Sequence, residues 1–166
     1  MTNRLYYEDS HLTEFPAVVT ACEQAKDYWK VSLDQTAFFP EGGGQTGDSG
    51  YLNDVEVFDT HEKAGEIWHY TRGPLEVGTE VKGILDWNKR FSRMQQHSGE
   101  HIVSGLIHAR FGYDNVGFHL GEEEVTMDFN GPITREELAE IEAAANQVVF
   151  DNIPILISYP GKEELA

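Results

Sequence analysis

The hydrophobic pattern of this chain changes period once, near Asn88, and that change decides what each half can become. From Leu5 to Trp87, short apolar runs alternate with polar residues. They are Phe15 to Cys22, Tyr28 to Leu33, Val55 to Asp59, Glu66 to Tyr70 and Gly78 to Asp86, divided by Gly, Asn and Asp. β-branched and aromatic residues with a period of two and turn formers between them predict an antiparallel sheet or small barrel. After Asn88 the period lengthens. Met94, Ile102, Leu106 and Ala109 are spaced for one apolar stripe of a helix that Gly112 would stop.

Two strands are expected next, Asn115 to Leu120 and Glu124 to Phe129, with Gly121 and the solvated triplet Glu122 to Glu124 at the turn. Thr134 and Glu137 form a capping signature for a helix through Leu138, Ile141, Ala145 and Val148 to about Phe150. A last strand is expected from Ile153 to Tyr159. The expected fold class is α+β: an N-terminal antiparallel β-barrel-like domain over residues 1–88, then an α+β domain over residues 89–166.

With 166 residues and 40% hydrophobic content the chain can bury a real core. No apolar run approaches the ~18 residues of a membrane span, and the first twelve residues are polar and acidic rather than a signal segment. One cysteine, Cys22, excludes an internal disulfide framework and a Cys-rich zinc knuckle, which fits a reducing, cytoplasmic setting. The net charge of −17 argues against strong nonspecific binding of a polyanion. Its one notable basic cluster is Lys89, Arg90 and Arg93.

Two segments carry chemistry. His97 and His101 stand four residues apart in the expected helix, on one face and about 6 Å apart along its axis, so both imidazoles can chelate one zinc ion. The run His97-Ser98-Gly99-Glu100-His101 fits H-x-x-E-H, in which the glutamate is the general base of an inverted zinc hydrolase. Zinc needs further ligands, and His119 is a candidate third. The other segment is Phe38-Phe39-Pro40-Glu41-Gly42-Gly43-Gly44-Gln45-Thr46-Gly47-Asp48-Ser49-Gly50. Five glycines in nine residues let a ligand approach the backbone, although a plain hairpin loop has the same composition. No lysine follows as in a phosphate loop. Gln45 offers an amide to a small polar group. His11, His61 and His69 read as loop or strand-surface residues.

Together, Leu33 to Gln45 with Gly47, Asp48 and Gly50, Arg90, Arg93, His97-x-x-x-His101, Gly117 to Gly121 and the helix from Thr134 to Asn146 resemble the editing module of alanyl-tRNA synthetases and its free-standing AlaX-type relatives. The resemblance covers most of the chain. It implies a barrel-like domain joined to the second additional domain of threonyl- and alanyl-tRNA synthetases. It implies zinc-dependent hydrolysis of the ester linking serine or glycine to tRNA for alanine, with the acceptor end of that tRNA as partner. Thr36 then matches a threonine near the amino-acid pocket, Gly42, Gly43, Gly44 and Gln45 hold the substrate, His97 and His101 hold zinc, and Glu100 is the candidate base. The family completes its zinc site with a later Cys-x-x-x-His, which is missing before Ala166. The chain is expected to be a fragment cut ahead of those ligands or a degenerate member. Two other readings stay open: a zinc hydrolase or lyase of the H-x-x-E-H type acting on a small metabolite or peptide, similar to S-ribosylhomocysteine lyases, and a metal-free binding module.

Overall fold

A computed structural model of the chain describes residues 2–121, 124–156, 158, 160, 161 and 163. Its elements are β1 (Asn3–Arg4), a 3-10 turn (Leu5–Tyr7), β2 (Glu14–Gln24), β3 (Trp29–Leu33), β4 (Gln35–Thr36), β5 (Gly50–Leu52), β6 (Val55–Lys63), β7 (Glu66–Thr71), β8 (Glu80–Leu85), α1 (Trp87–Phe111), β9 (Asn115–Leu120), β10 (Val125–Phe129) and α2 (Arg135–Phe150). They fall into two compact units, Met1–Ser98 with Val116–Asp128, and Gly99–Asn115 with Phe129–Ala166. Helix α1 contributes residues to both. No helix among the described residues is long and apolar enough to cross a membrane.

The first unit is built on a closed barrel in the order β2-β3-β7-β6-β5-β8, every pair antiparallel. Strand β2 makes closure possible. Its first half, Glu14–Val18, pairs with β8, its second with β3, and a bulge between Val19 and Ala21 bends it at the changeover. The expected period of two is realised in burial: Phe15, Ala17 and Val19 of β2, and Val81 and Leu85 of β8, point inward with Val31, Leu33, Phe38, Leu52 and Val57. Gly83 stands where a Cβ would lie 2.3 Å from the Phe15 ring, so the barrel fits that ring only because the facing residue has no side chain.

His69 corrects one sequence expectation. Its outward reading rested on a polar side chain in an alternating strand. Instead, alternation along β7 turns Ile67, His69 and Thr71 to the same interior face, and all three are fully buried. The imidazole is satisfied as the neutral form: Nδ1–H donates to the Val31 carbonyl at 2.9 Å, and Nε2 accepts from the Thr36 hydroxyl at 2.8 Å, which in turn accepts from Phe38 N–H at 3.1 Å. Burial pushes the imidazole down to about 4. Above the unfolded value of 6.5 both states are neutral, whereas below it the unfolded chain takes a proton that the native core refuses. Stability attributable to His69 is therefore present above pH 6.5 and lost as pH falls toward 4, by about 2 kcal/mol at pH 5. Urea unfolding of the wild type and His69→Asn at pH 7.5 and 5 measures this; the variant's loss between the two pH values is expected to be smaller by that amount, and equal losses would exclude it.

In the second unit, Ile107 of α1 and Ile141 of α2 are buried, and Arg110 pairs with Glu140. Helix α1 ends where expected, at Gly112, which has φ of 71° and donates to the His108 carbonyl at 2.8 Å. Helix α2 has the full capping box: Glu137 N–H donates to Thr134 Oγ1 and Thr134 N–H to the Glu137 carboxylate. The stripe expected on α1 differs from the observed one. Met94, Ile102 and Leu106 are only half-buried and Ala109 is exposed, while Arg90, Glu100 and Ile107 are buried. Polar side chains that find partners inside occupy positions that a hydrophobic period assigns to solvent. The last expected strand is not formed over residues 153–156 and 158, where Ile153, Ile155 and Leu156 are exposed and have no strand beside them among the described residues; Ile157 and Tyr159 lie outside the described residues, as do Glu122 and Glu123 of the acidic turn.

Candidate functional site

The glycine segment is a structured turn. Gly42 and Gln45 exchange backbone hydrogen bonds at 3.0 and 3.1 Å, with Gly43 and Gly44 in the left-handed region at φ of 60° and 83°. Gln45 also bridges to Leu120, whose N–H donates to the Gly44 carbonyl at 3.1 Å, so the turn rests against β9. Gly44 is the close-approach position, since a Cβ there would stand 2.7 Å from the Phe118 carbonyl oxygen, whereas one on Gly43 meets no described atom within 4 Å. Both alanine variants carry backbone strain, but only Gly44→Ala must also push the turn off β9. Gly44→Ala is expected to lose about 1–3 kcal/mol more than Gly43→Ala in chemical denaturation. Equal losses would show that the approach is unimportant.

The far end of the segment is tied to α1. Asp48, buried, accepts from Phe39 N–H at 2.8 Å and pairs with buried Arg90, which also reaches the Ala37 carbonyl at 3.4 Å. Burial pushes the Asp48 carboxyl up, against the pull of Arg90, Phe39 N–H and Arg93. Arg93 donates to the Gly47 carbonyl at 2.8 Å and lies 3.9 Å from Asp48. Much of the expected basic cluster is thus spent inside the fold. Asp86 accepts from Lys89 N–H at 3.2 Å, capping α1 at its start.

These ties bring the two chemical segments together. His97 Nδ1 lies 3.2 Å from Gln45 Oε1, and the imidazole stacks on Phe118 with centroids 5.4 Å apart and planes at 29°. An amide oxygen only accepts, so Nδ1 is the nitrogen that donates in this contact, and Nε2 is the one through which a metal would be held. Phe118 was not singled out as a site residue, although neighbours on a strand face opposite ways. Its ring covers His97, while His119 is exposed and lines a neighbouring cavity.

On successive turns of α1, His97, Glu100 and His101 place one ligand atom each within 4.8 Å of one another. Among the described residues His119 is not part of that group. Two imidazoles and a carboxylate suit zinc chemically, and they form an incomplete set for a four-ligand site. Glu100 is buried; its Oε1 accepts from Ser104 at 2.5 Å and Asn115 at 2.8 Å, and its Oε2 lies 3.1 Å from His101 Nδ1. Thr36 is fully buried, its hydroxyl engaged by His69 and Phe38.

A family model described as tRNA synthetases class II (A) matches residues 3–89, just over half of the chain. The alanyl-tRNA editing protein AlaX-L of Pyrococcus horikoshii is 37% identical over the whole chain, which covers 43% of that protein. Mouse alanyl-tRNA editing protein Aarsd1 is 32% identical over 92% of the chain, covering 40% of its own length. AlaX-M of Methanosarcina acetivorans is 33% identical over 99% of the chain, covering 71% of its own length. This chain belongs to the alanyl-tRNA editing protein family, and it spans less than half the length of the first two of these relatives.

Proposed function

We propose that this chain acts in the zinc-dependent hydrolysis of the ester of serine or glycine mischarged on tRNA for alanine, as a cytoplasmic trans-editing protein or a synthetase-derived editing module. The observation that carries this reading is the contact between His97 Nδ1 and Gln45 Oε1 at 3.2 Å, because it joins the glycine turn and the histidine helix in one site. In this reading His97 and His101 hold zinc, and Gln45 fixes the His97 tautomer. When bound, zinc supplies a Lewis acid that polarises the reacting carbonyl or lowers the pKa of water.

The remaining roles belong to the chain. Gly42, Gly43 and Gly44 present backbone groups to the terminal ribose and amino acid. An aminoacyl ester is already activated, so placing it accurately supplies much of what catalysis requires. Thr36 recognises the small amino acid, its hydroxyl exchanging the His69 contact for one to the substrate; a bulkier residue would leave it unsatisfied or be excluded. Glu100, held by Ser104 and Asn115 and facing His101, orients that histidine in preference to acting as a free base. The test is release of serine from seryl-tRNA for alanine with added zinc, with alanyl-tRNA as control. Preferential, zinc-dependent release supports the reading; release of neither amino acid by this chain limits it to binding.

A further inference from the structure

Away from the helix histidines, one imidazole of the barrel unit is held on three sides. His61 lies on β6 with Nδ1 2.8 Å from Glu41 Oε2 and Nε2 2.8 Å from Asp59 Oδ2, and its ring lies over Tyr70 with centroids 4.5 Å apart. A carboxylate only accepts, so both contacts are complete when the ring carries both protons. The strand is bulged just before this point: its register against β7 shifts between Val57 and Asp59, a device that re-aims the side chains that follow.

Asp59, Thr60 and His61 grip both ends of the glycine segment. At its exit, Thr60 Oγ1 donates to the Asp48 carbonyl at 2.9 Å, and a Cβ on Gly47 would stand 2.1 Å from the Thr60 carbonyl oxygen. Arg90 and Arg93 tie that end to α1 as well. At its entry, Glu41 N–H donates to the Thr60 carbonyl at 2.8 Å, beside the side-chain contact with His61. The residues that follow have no packing of this kind, since a Cβ on Gly42 or Gly43 would meet no described atom within 4 Å. Where Glu41 is held therefore decides where the turn begins. An isolated surface ion pair would hold it weakly. His61 differs because the ring is fixed by Asp59 and Tyr70, and Asp59 is itself fixed by accepting from Thr60 N–H at 2.9 Å.

We propose that His61 is a positioning residue for the editing reaction: bound to Asp59 on its own strand and to Glu41 on the glycine segment, it sets the entry of the turn that presents the substrate. The proposal rests on the editing reading and adds a residue that touches no reacting atom. His61 acts only through Glu41, so removing either partner has the same consequence as removing both.

The experiment applies two readouts to the wild type, His61→Ala, Glu41→Ala, their double variant and Glu41→Gln. Hydrogen exchange followed by mass spectrometry reports on the turn: residues 42–46 should exchange at least about threefold faster in every alanine variant, with β2 unchanged. Single-turnover release of serine from seryl-tRNA for alanine reports on the reaction. Its rate at saturating protein should fall about tenfold in each alanine variant, while the half-saturating concentration moves by less than about twofold. The double variant should lose no more than either single one. Glu41→Gln, whose amide oxygen still accepts from Nδ1, should stay within about twofold of the wild type. Lys26→Ala, an exposed lysine elsewhere on the barrel unit, should change neither readout. The Glu41 side chain is more than half exposed, so its truncation leaves the barrel folded even if His61→Ala does not. Additive losses, a change confined to the half-saturating concentration, or unaltered exchange of the turn overturns the proposal. The two readings fail separately. Release that is indifferent to His61 and Glu41 removes the positioning role and keeps the editing assignment, whereas faster exchange in the variants of a wild type that releases no serine removes the editing assignment and leaves His61 as a clamp on the turn alone.

Discussion

Arg90→Ala is expected to destabilise the barrel unit by about 3–5 kcal/mol, the cost of stranding a buried partner charge. Arg90 and Asp48 are both buried, and between them they join the end of the glycine segment to α1 through Phe39 N–H, the Ala37 carbonyl and each other. With the guanidinium gone, Asp48 must stay charged in a poor solvent or take up a proton. The native carboxyl is already above its ordinary value, and losing Arg90 raises it further. The native state then binds a proton that the unfolded chain does not until lower pH, so the penalty should be larger at pH 8 than at pH 5. A second variant separates the charge from the space it fills. Arg90→Met with Asp48→Leu replaces both partners by apolar groups of similar volume, and should recover most of the loss. Urea unfolding of the wild type, both single variants and the double variant measures the coupling. A single-variant loss near zero at pH 8 would show that the pair does not anchor the segment.

This pair also shows where sequence reading stops. Alternation in β2, the Gly112 stop and the Thr134 capping box were legible because each is a local rule: a period of two, a left-handed glycine, a side chain reaching three residues on. Strand β5 was not. It is three residues long and opens on Gly50, too short to show a period, yet it closes the barrel between β6 and β8. His69 was misplaced, and the burial of Arg90 went unread, for a related reason. Polarity argues for the surface until a specific partner is known, and Thr36, Val31 and Asp48 lie 33 to 42 residues away from them in the chain. The histidine pair was visible from its spacing alone. Its contact with Gln45 spans 52 residues, and only the family resemblance had put the two motifs in one site.

Under the proposed function, His97→Ala is expected to lower zinc-dependent release of serine from seryl-tRNA by at least about a hundredfold, since it removes one of the two imidazoles of the candidate metal group. The structure supplies a finer version of the same test. If Gln45 sets the His97 tautomer, Gln45→Ala leaves the ligand in place and removes only the acceptor that holds it. Affinity for zinc should then fall about 10–100-fold, as for other supports of a metal-binding histidine, with a corresponding loss of turnover. Gln45→Glu restores an acceptor oxygen at the same position and should recover zinc binding, whereas a role of Gln45 confined to the substrate would not be rescued in this readout. Bound zinc, measured by competition with a chromogenic chelator, is read beside serine release, so a variant that merely misfolds is recognised by its altered circular dichroism. His97→Ala with undiminished zinc-dependent release would remove the metal assignment, and with it the reason for the imidazole to be held between Gln45 and Phe118.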